Sequence, residues 1–191
     1  MLYPIGIDPR VYSGLQGLTT QSFVEANVKN GTQFSLTDEI IIPASTTVYR
    51  VFKTPVELDT LIKTRLINTN GGIRFTQRVN ATFVTGAIID PIGAPVGTGL
   101  LFNLNDRVIN PSQAEYRAVT SVSAPGYPRD AIRSTQGTGS NREQGIFDAS
   151  GIERSLTRDT EYLFGFENFE NRELYVMFST TWYEGPSSVD L

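Results

Sequence analysis

The residue types that could do chemistry in this chain are carboxylates, hydroxyls, amides and arginines, because it contains no histidine and no cysteine. That removes Ser-His-Asp and Cys-His nucleophiles, zinc sites built on His or Cys, haem ligation through either residue, iron–sulfur clusters and disulfides. Carboxylate chemistry and oxygen-ligated Ca²⁺ or Mg²⁺ remain. The acid pairs are Asp38/Glu39, Glu57/Asp59, Asp159/Glu161 and the set Glu167/Glu170/Glu173. Two carboxylates flanking a bond are what a glycosidase requires. Solvated surface accounts for the same pairs more simply, and the last set brackets a turn. Asn103-Leu104-Asn105-Asp106 places oxygen ligands at alternate positions. It lacks the spacing of a full calcium loop, so an Asx turn closing a strand is the reading adopted. Gly97-Thr98-Gly99 and Gly137-Thr138-Gly139 lack the lysine and following helix of a phosphate loop and read as turns. No catalytic residue, metal ligand or cofactor is therefore expected.

The elements around these residues read β. Ile73, Phe75, Val79, Ala81 and Phe83 alternate with polar residues, Gln77 being the one polar residue on the apolar side. Thr60 to Ile67 is expected to pair with that strand as a hairpin across Asn70-Gly71-Gly72. Shorter runs lie at Ile40 to Ile42, Val48 to Phe52, Leu100 to Leu104 and Tyr116 to Val122. Near the end, Tyr162, Phe164 and Phe166 share one face of a strand. Leu174, Val176, Phe178, Thr180 and Trp182 share a face of the next, with Tyr175, Met177 and Tyr183 opposite. Glu167 to Arg172 is expected to join these two as a hairpin loop. The last strand is apolar on both sides, so it is expected to be central and covered on both faces, in part by another subunit. Trp182, Phe178, Phe166 and Phe164 are the expected core anchors. Ser22 to Lys29 is the single candidate for a helical turn.

Length and charge bound the rest. The chain has 191 residues, enough for one large domain with arms. Its 16 basic and 20 acidic residues give a net charge of −4. There is no basic run, so nucleic acid is not an expected partner. No stretch approaches a membrane span, and no secretory signal is visible. Thirteen of the basic residues are arginine, the better side chain for planar interface contacts. Residues 1–28 read as an N-terminal arm, 29–185 as a β-sandwich domain and 186–191 as a tail. A long polar loop is expected over 124–151. The arm holds Leu2, Tyr3, Ile5, Ile7, Val11, Tyr12, Leu15 and Leu18. These are too many apolar groups to leave in water without cause, and they are the expected contacts to the capsid or a neighbouring subunit, with folding back over the chain's own sandwich as the alternative.

Several segments resemble a family of tailed-phage virion head proteins, the jelly-roll capsid decoration (cement) proteins. They are Ile152-Glu153-Arg154-Ser155-Leu156, Thr160-Glu161-Tyr162-Leu163-Phe164-Gly165-Phe166-Glu167-Asn168, Tyr175-Val176 and the closing Thr181-Trp182-Tyr183-Glu184. Asn30-Gly31-Thr32-Gln33-Phe34-Ser35, Val51-Phe52-Lys53-Thr54-Pro55 and Asn105-Asp106-Arg107 agree with it. The resemblance spans residues 28 to 185 and is closest over the last thirty. It implies an all-β jelly-roll or tumour-necrosis-factor-like β-sandwich. It also implies a homotrimer bound to the major capsid protein on the exterior of the virion, with no enzymatic activity. The extension before residue 28 and the tail after Trp-Tyr-Glu depart from the family pattern. A receptor-binding module such as a head fibre or tail knob is the alternative, with Tyr127, Tyr116 and the long loop as its exposed surface. A carboxylate-only glycosidase and an RNA-packaging coat protein are weaker, the latter because residues 1–28 carry only Arg10 as a basic residue.

Overall fold

The computed structural model describes residues 30–90, 101–105, 111–134, 145–148 and 154–186. The arm residues Leu2 to Leu18, the candidate turn at Ser22 to Lys29 and both Gly-Thr-Gly segments lie outside them. Among the described residues twelve strands form: β1 (Gln33–Ile42), β2 (Thr47–Lys53), β3 (Asp59–Thr69), β4 (Ile73–Val79), β5 (Thr82–Ile88), β6 (Phe102–Asn103), β7 (Glu115–Ala124), β8 (Tyr127–Ser134), β9 (Gly145–Asp148), β10 (Arg154–Leu156), β11 (Glu161–Asn168) and β12 (Leu174–Gly185). There is no helix among the described residues.

The strands form two antiparallel sheets that pack as a sandwich. One runs β10-β3-β12-β1-β6, with β9 also on β3; the other runs β5-β7-β2-β11-β4-β8. The pairing is nested. β1 pairs β12, β2 pairs β11, β3 pairs β10 and β9, and β4 pairs β8. Outer members of the chain thus pair with outer members and inner with inner. β7, with β5 beyond it, extends the sheet past β2 of the β2–β11 pair.

Period two decides which side chains enter the core. From the β12 sheet come Phe34, Leu36, Ile40, Ile42, Ile62, Ile67, Leu174, Val176, Phe178 and Trp182; from the facing sheet come Phe52, Ile73, Phe75, Tyr116, Tyr162, Phe164 and Phe166. Phe178 meets three rings of the opposite sheet, Phe166 at 5.3 Å and Phe75 and Phe164 at 5.7 Å between centroids. Trp182 sits edge-on to Phe52 at 5.3 Å and stacks on Phe34 at 6.0 Å. Such pairs add about 0.5–1.5 kcal/mol each beyond the area they bury. The anchors Trp182, Phe178, Phe166 and Phe164 are all buried.

Both expected hairpins are corrected. β3 and β4 lie in different sheets, as do β11 and β12. The Asn70-Gly71-Gly72 and Phe169 to Glu173 connections therefore cross the edge of the sandwich and do not fold a strand back on its neighbour. The reason is the core: Ile67 and Ile73, or Phe166 and Leu174, bury their apolar faces by opposing one another across it. Side by side in one sheet they would have needed a second cover. Gly71 lies so close to Leu174 and Glu170 that a Cβ there would stand 2.4 Å from Leu174 Cδ2.

The alternating run from Ile73 to Phe83 is two strands, not one. Asn80 adopts φ 55° and the ladder breaks there. β8 and β9 occupy part of the 124–151 segment that reads as a loop. Gly126, at φ 68°, makes the tight turn into β8, and a Cβ there would sit 2.2 Å from the Val79 carbonyl oxygen. Polar residues such as Arg129 and Asp130 hide β8 from a hydrophobicity pattern. β12 is central, as its composition suggests, but the structure covers one face only: Tyr175 and Met177 are exposed.

Candidate functional site

The carboxylates that could do chemistry are engaged as structural ties. Asp38 is on the inner face of β1, directly opposite Phe178 in register, and buried. Arg50 Nε donates to its Oδ2 at 2.8 Å, and the Tyr116 hydroxyl donates to the same oxygen at 3.1 Å. Asp38 comes from one sheet, and Arg50 and Tyr116 from the other, so the trio bolts the two layers together. Burial, followed by the neighbouring Asp38 charge, pushes the Tyr116 hydroxyl pKa well above its ordinary value. Tyr116 is thus not the exposed aromatic the sequence suggests; it is a core residue.

A second tie joins the same sheets further along. Arg65, buried on β3, contacts Asp130 of β8 at 2.6 Å and donates to Gln77 Oε1 of β4 at 3.2 Å. Its guanidinium also lies 6.0 Å from the Phe75 ring centroid. The polar Gln77 within an apolar face is explained by this arginine.

Glu184 closes the core at the end of β12. Its Oε1 accepts from Trp182 Nε1 at 2.7 Å and from the Ser112 hydroxyl; its Oε2 accepts from the Gln113 amide at 2.8 Å. The carboxylate thereby fastens the segment entering β7 to the last strand. Asn168 does comparable work at the opposite end. Its side-chain amide donates to the carbonyls of Ile42, Pro43 and Arg172, and its Oδ1 accepts from the Glu170 amide at 2.7 Å. Glu170 in turn accepts from the Gly72 amide at 2.6 Å and from Arg172 Nε at 2.7 Å. Three sheet-crossing connections meet at this one hydrogen-bonded knot. Among the remaining acids, Asp59 pairs with Arg158 at 2.6 Å, Glu167 with Arg74, and Asp159 with Lys53 at 3.9 Å. Asn103 ends β6 with its Oδ1 accepting from the Asn105 amide at 2.9 Å, the Asx turn expected of that motif. Among the described residues no three of His, Cys, Asp or Glu gather as a metal site, and no helix is long and apolar enough to cross a membrane.

No family model matches the chain, and no curated protein matches it in sequence. The surface must speak for itself, and two features stand out on it. The first is the outer face of the β12 sheet. Ile41 is 55% exposed, Tyr175 57%, Met177 43% and Leu66 38%. Ile41 is opposite Tyr175 in the β1–β12 ladder, and Met177 lies between Glu39 and Asn68. Glu173 takes a hydrogen bond from the Tyr175 hydroxyl and raises its pKa, first through that bond and then through its charge. The result is an apolar strip across three strands with Glu39 and Glu173 at its margin. Tyr175 and Met177 were visible in the sequence as the reverse side of an apolar strand; Ile41 and Leu66 join them only through the register.

The second feature is a cleft of about 400 Å³ where β7 leaves β2. The two strands pair only from Arg50 to Lys53. Beyond that they diverge around Thr47, Val48, Tyr49, Val119, Thr120 and Ser121, leaving an open, mixed-polarity notch. Tyr127, at the start of β8, is the most exposed aromatic described.

Proposed function

We propose that the chain is a structural virion protein, a decoration or cement subunit that binds the exterior of a phage head and stabilises the shell. The observation that carries this reading is the apolar strip of Ile41, Leu66, Tyr175 and Met177 on the outer face of the β12 sheet. A monomer in water has no use for such a face, and a partner surface does. The strip lies on a sheet, suits a flat partner such as the major capsid protein, and is margined by acids that favour basic groups opposite.

The nested pairing supports a jelly-roll or tumour-necrosis-factor-like arrangement. β1-β12-β3-β10 faces β2-β11-β4-β8, the order produced by rolling up one long antiparallel ribbon. The motif residues that carry the family resemblance, Tyr162, Asn168, Trp182 and Glu184, are the ones that pack and tie this roll together. In this reading the apolar residues of 1–28 contact the shell or a neighbouring subunit, and the subunits assemble as trimers. Neither nucleic acid nor a cofactor takes part.

Cosedimentation of the labelled protein with undecorated heads tests the reading. Saturable binding is expected, and the double variant I41D/M177D should lower it at least tenfold while keeping the wild-type melting temperature. Wild-type protein that leaves heads unbound would overturn the proposal. Full binding by the double variant would move the contact off the β12 sheet.

The cleft between β2 and β7 favours a second reading, a receptor-binding knob. Tyr49 offers a stacking face there, and Thr47, Thr120 and Ser121 offer hydroxyls, the combination a saccharide uses. A glycan array separates the two: selective binding, abolished by Tyr49→Ala, would favour the knob.

A further inference from the structure

We infer that β5 is a self-pairing edge, through which two copies of this chain join their β11 sheets across a two-fold axis. The inference concerns contact between copies in solution and does not depend on the shell-binding reading.

It starts from how the sheet edges are protected. Exposed edge strands invite pairing with other chains, and proteins blunt them with charge, proline or shortness. β8 carries Pro128, Arg129, Asp130 and Arg133. β10 has three residues, one of them Arg154, and β6 has two. β9 has four and includes Asp148. β5 has seven residues, Thr-Phe-Val-Thr-Gly-Ala-Ile, with neither charge nor proline. The lack of charge extends from Asn80 to Ile89, and along the strand it pairs with, from Ala118 to Pro128. Val84 is 58% exposed and Ile88 45%. The ribbon of β5 and β7 stands outside the nested eight-strand roll, so the roll does not require it to be neutral.

The hydrogen bonding shows which backbone groups are offered. The Thr120 hydroxyl donates to the Val84 carbonyl at 3.2 Å, and the Ser123 hydroxyl to the Thr82 carbonyl at 3.1 Å. Thr82 and Val84 therefore turn their carbonyls toward β7. Successive residues of a strand point their backbone groups to opposite sides. Phe83 and Thr85 consequently aim theirs at the free edge, where β5 has no strand partner among the described residues. Of the three ladder irregularities, those at Thr82/Phe83 and Val84/Thr85 are extra residues on β7, and the one between Thr85 and Ile88 is an extra residue on β5, so β5 is regular from Thr82 to Thr85.

A two-fold axis through Val84 sets Phe83 against Thr85 of the partner subunit and Thr85 against Phe83 of the partner subunit. Each pair exchanges two backbone hydrogen bonds. The two Val84 residues then form a close non-hydrogen-bonded pair, Cα atoms roughly 4.5 Å apart. An uncharged strand meets its own copy without like-charge repulsion, whereas two copies of β8 would oppose arginines. Because the contact is two-fold, it either makes dimers or joins larger rings in pairs.

The test uses the full chain with Val84→Lys and Val84→Glu, each checked by circular dichroism for unchanged strand content. Light scattering at tens of micromolar should give each variant half the mass of the wild type. An equimolar mixture of the two should recover the wild-type mass, because opposite charges then face one another. Equal masses for wild type and both variants would overturn the inference. So would variants of halved mass whose mixture stays at half, since the loss would then not come from Val84 meeting Val84.

Discussion

Trp182 Nε1 donates a hydrogen bond of 2.7 Å to Glu184 Oε1, two residues along the same inward face of β12. Both side chains are buried. The indole is thus held at its polar end by a carboxylate and along its body by Phe34 and Phe52. Trp182→Ala should lower stability by about 3–5 kcal/mol. Glu184→Gln keeps the shape but turns an amide NH₂ toward donors, and should lower it by about 1–3 kcal/mol. Denaturant melts followed by far-ultraviolet circular dichroism measure both, and wild-type emission should be blue-shifted. Emission like that of free tryptophan in water would contradict the packing.

Asp38 and Arg50 make an inter-sheet ion pair with little exposure on either side chain. Removing Arg50 leaves the Asp38 carboxylate buried without a countercharge, held only by the Tyr116 hydroxyl. Arg50→Ala should therefore cost about 3–5 kcal/mol, and the double replacement Asp38→Leu with Arg50→Met much less. Chemical denaturation of the three proteins checks the order. A single variant as stable as the wild type would show that water reaches the pair.

Tyr116 gives an alkaline signature. Its folded-state pKa lies above the unfolded value of about 10. The folded chain therefore holds the phenolic proton more tightly. The associated stability is complete below the unfolded pKa and is lost as the pH rises above it toward the folded value. Stability should fall from about pH 10 upward. Tyr116→Phe should remove part of that fall and lower stability at neutral pH through the lost hydrogen bond to Asp38. Tyr183, raised by burial and then by Asp59, should leave a remainder. Melting temperatures across pH 7 to 11 measure this, and identical alkaline slopes would contradict it.

Much of the fold was readable because apolar residues of period two dominate β2, β4, β11 and β12, and because turn residues mark their ends. The partner of each strand was not readable in the same way. Turn residues at 70–72 and 168–172 serve a hairpin and a sheet-crossing connection equally well; only the opposing apolar faces across the core distinguish them. Asp38 read only as half of a surface acid pair and Glu184 only as the end of a motif, and Arg50 and Arg65 carried no signal, because a charged residue in an alternating strand looks like an error in the pattern until its partner from another segment is placed beside it. Gln77 was visible as an exception, and Arg65 supplies its reason. The surface strip was half visible: Tyr175 and Met177 alternate along one strand, but Ile41 and Leu66 reach them only through ladders formed by distant segments.

On the function proposed above, this sandwich sits on the outside of a phage head. Cryo-electron microscopy of intact virions from the source of the chain tests it most directly. Density is expected on the outer head surface that fits the two sheets, with the strip of Ile41, Tyr175 and Met177 against the shell. Density for the chain at the tail tip or on a fibre, or virions that lack the chain altogether, would contradict it.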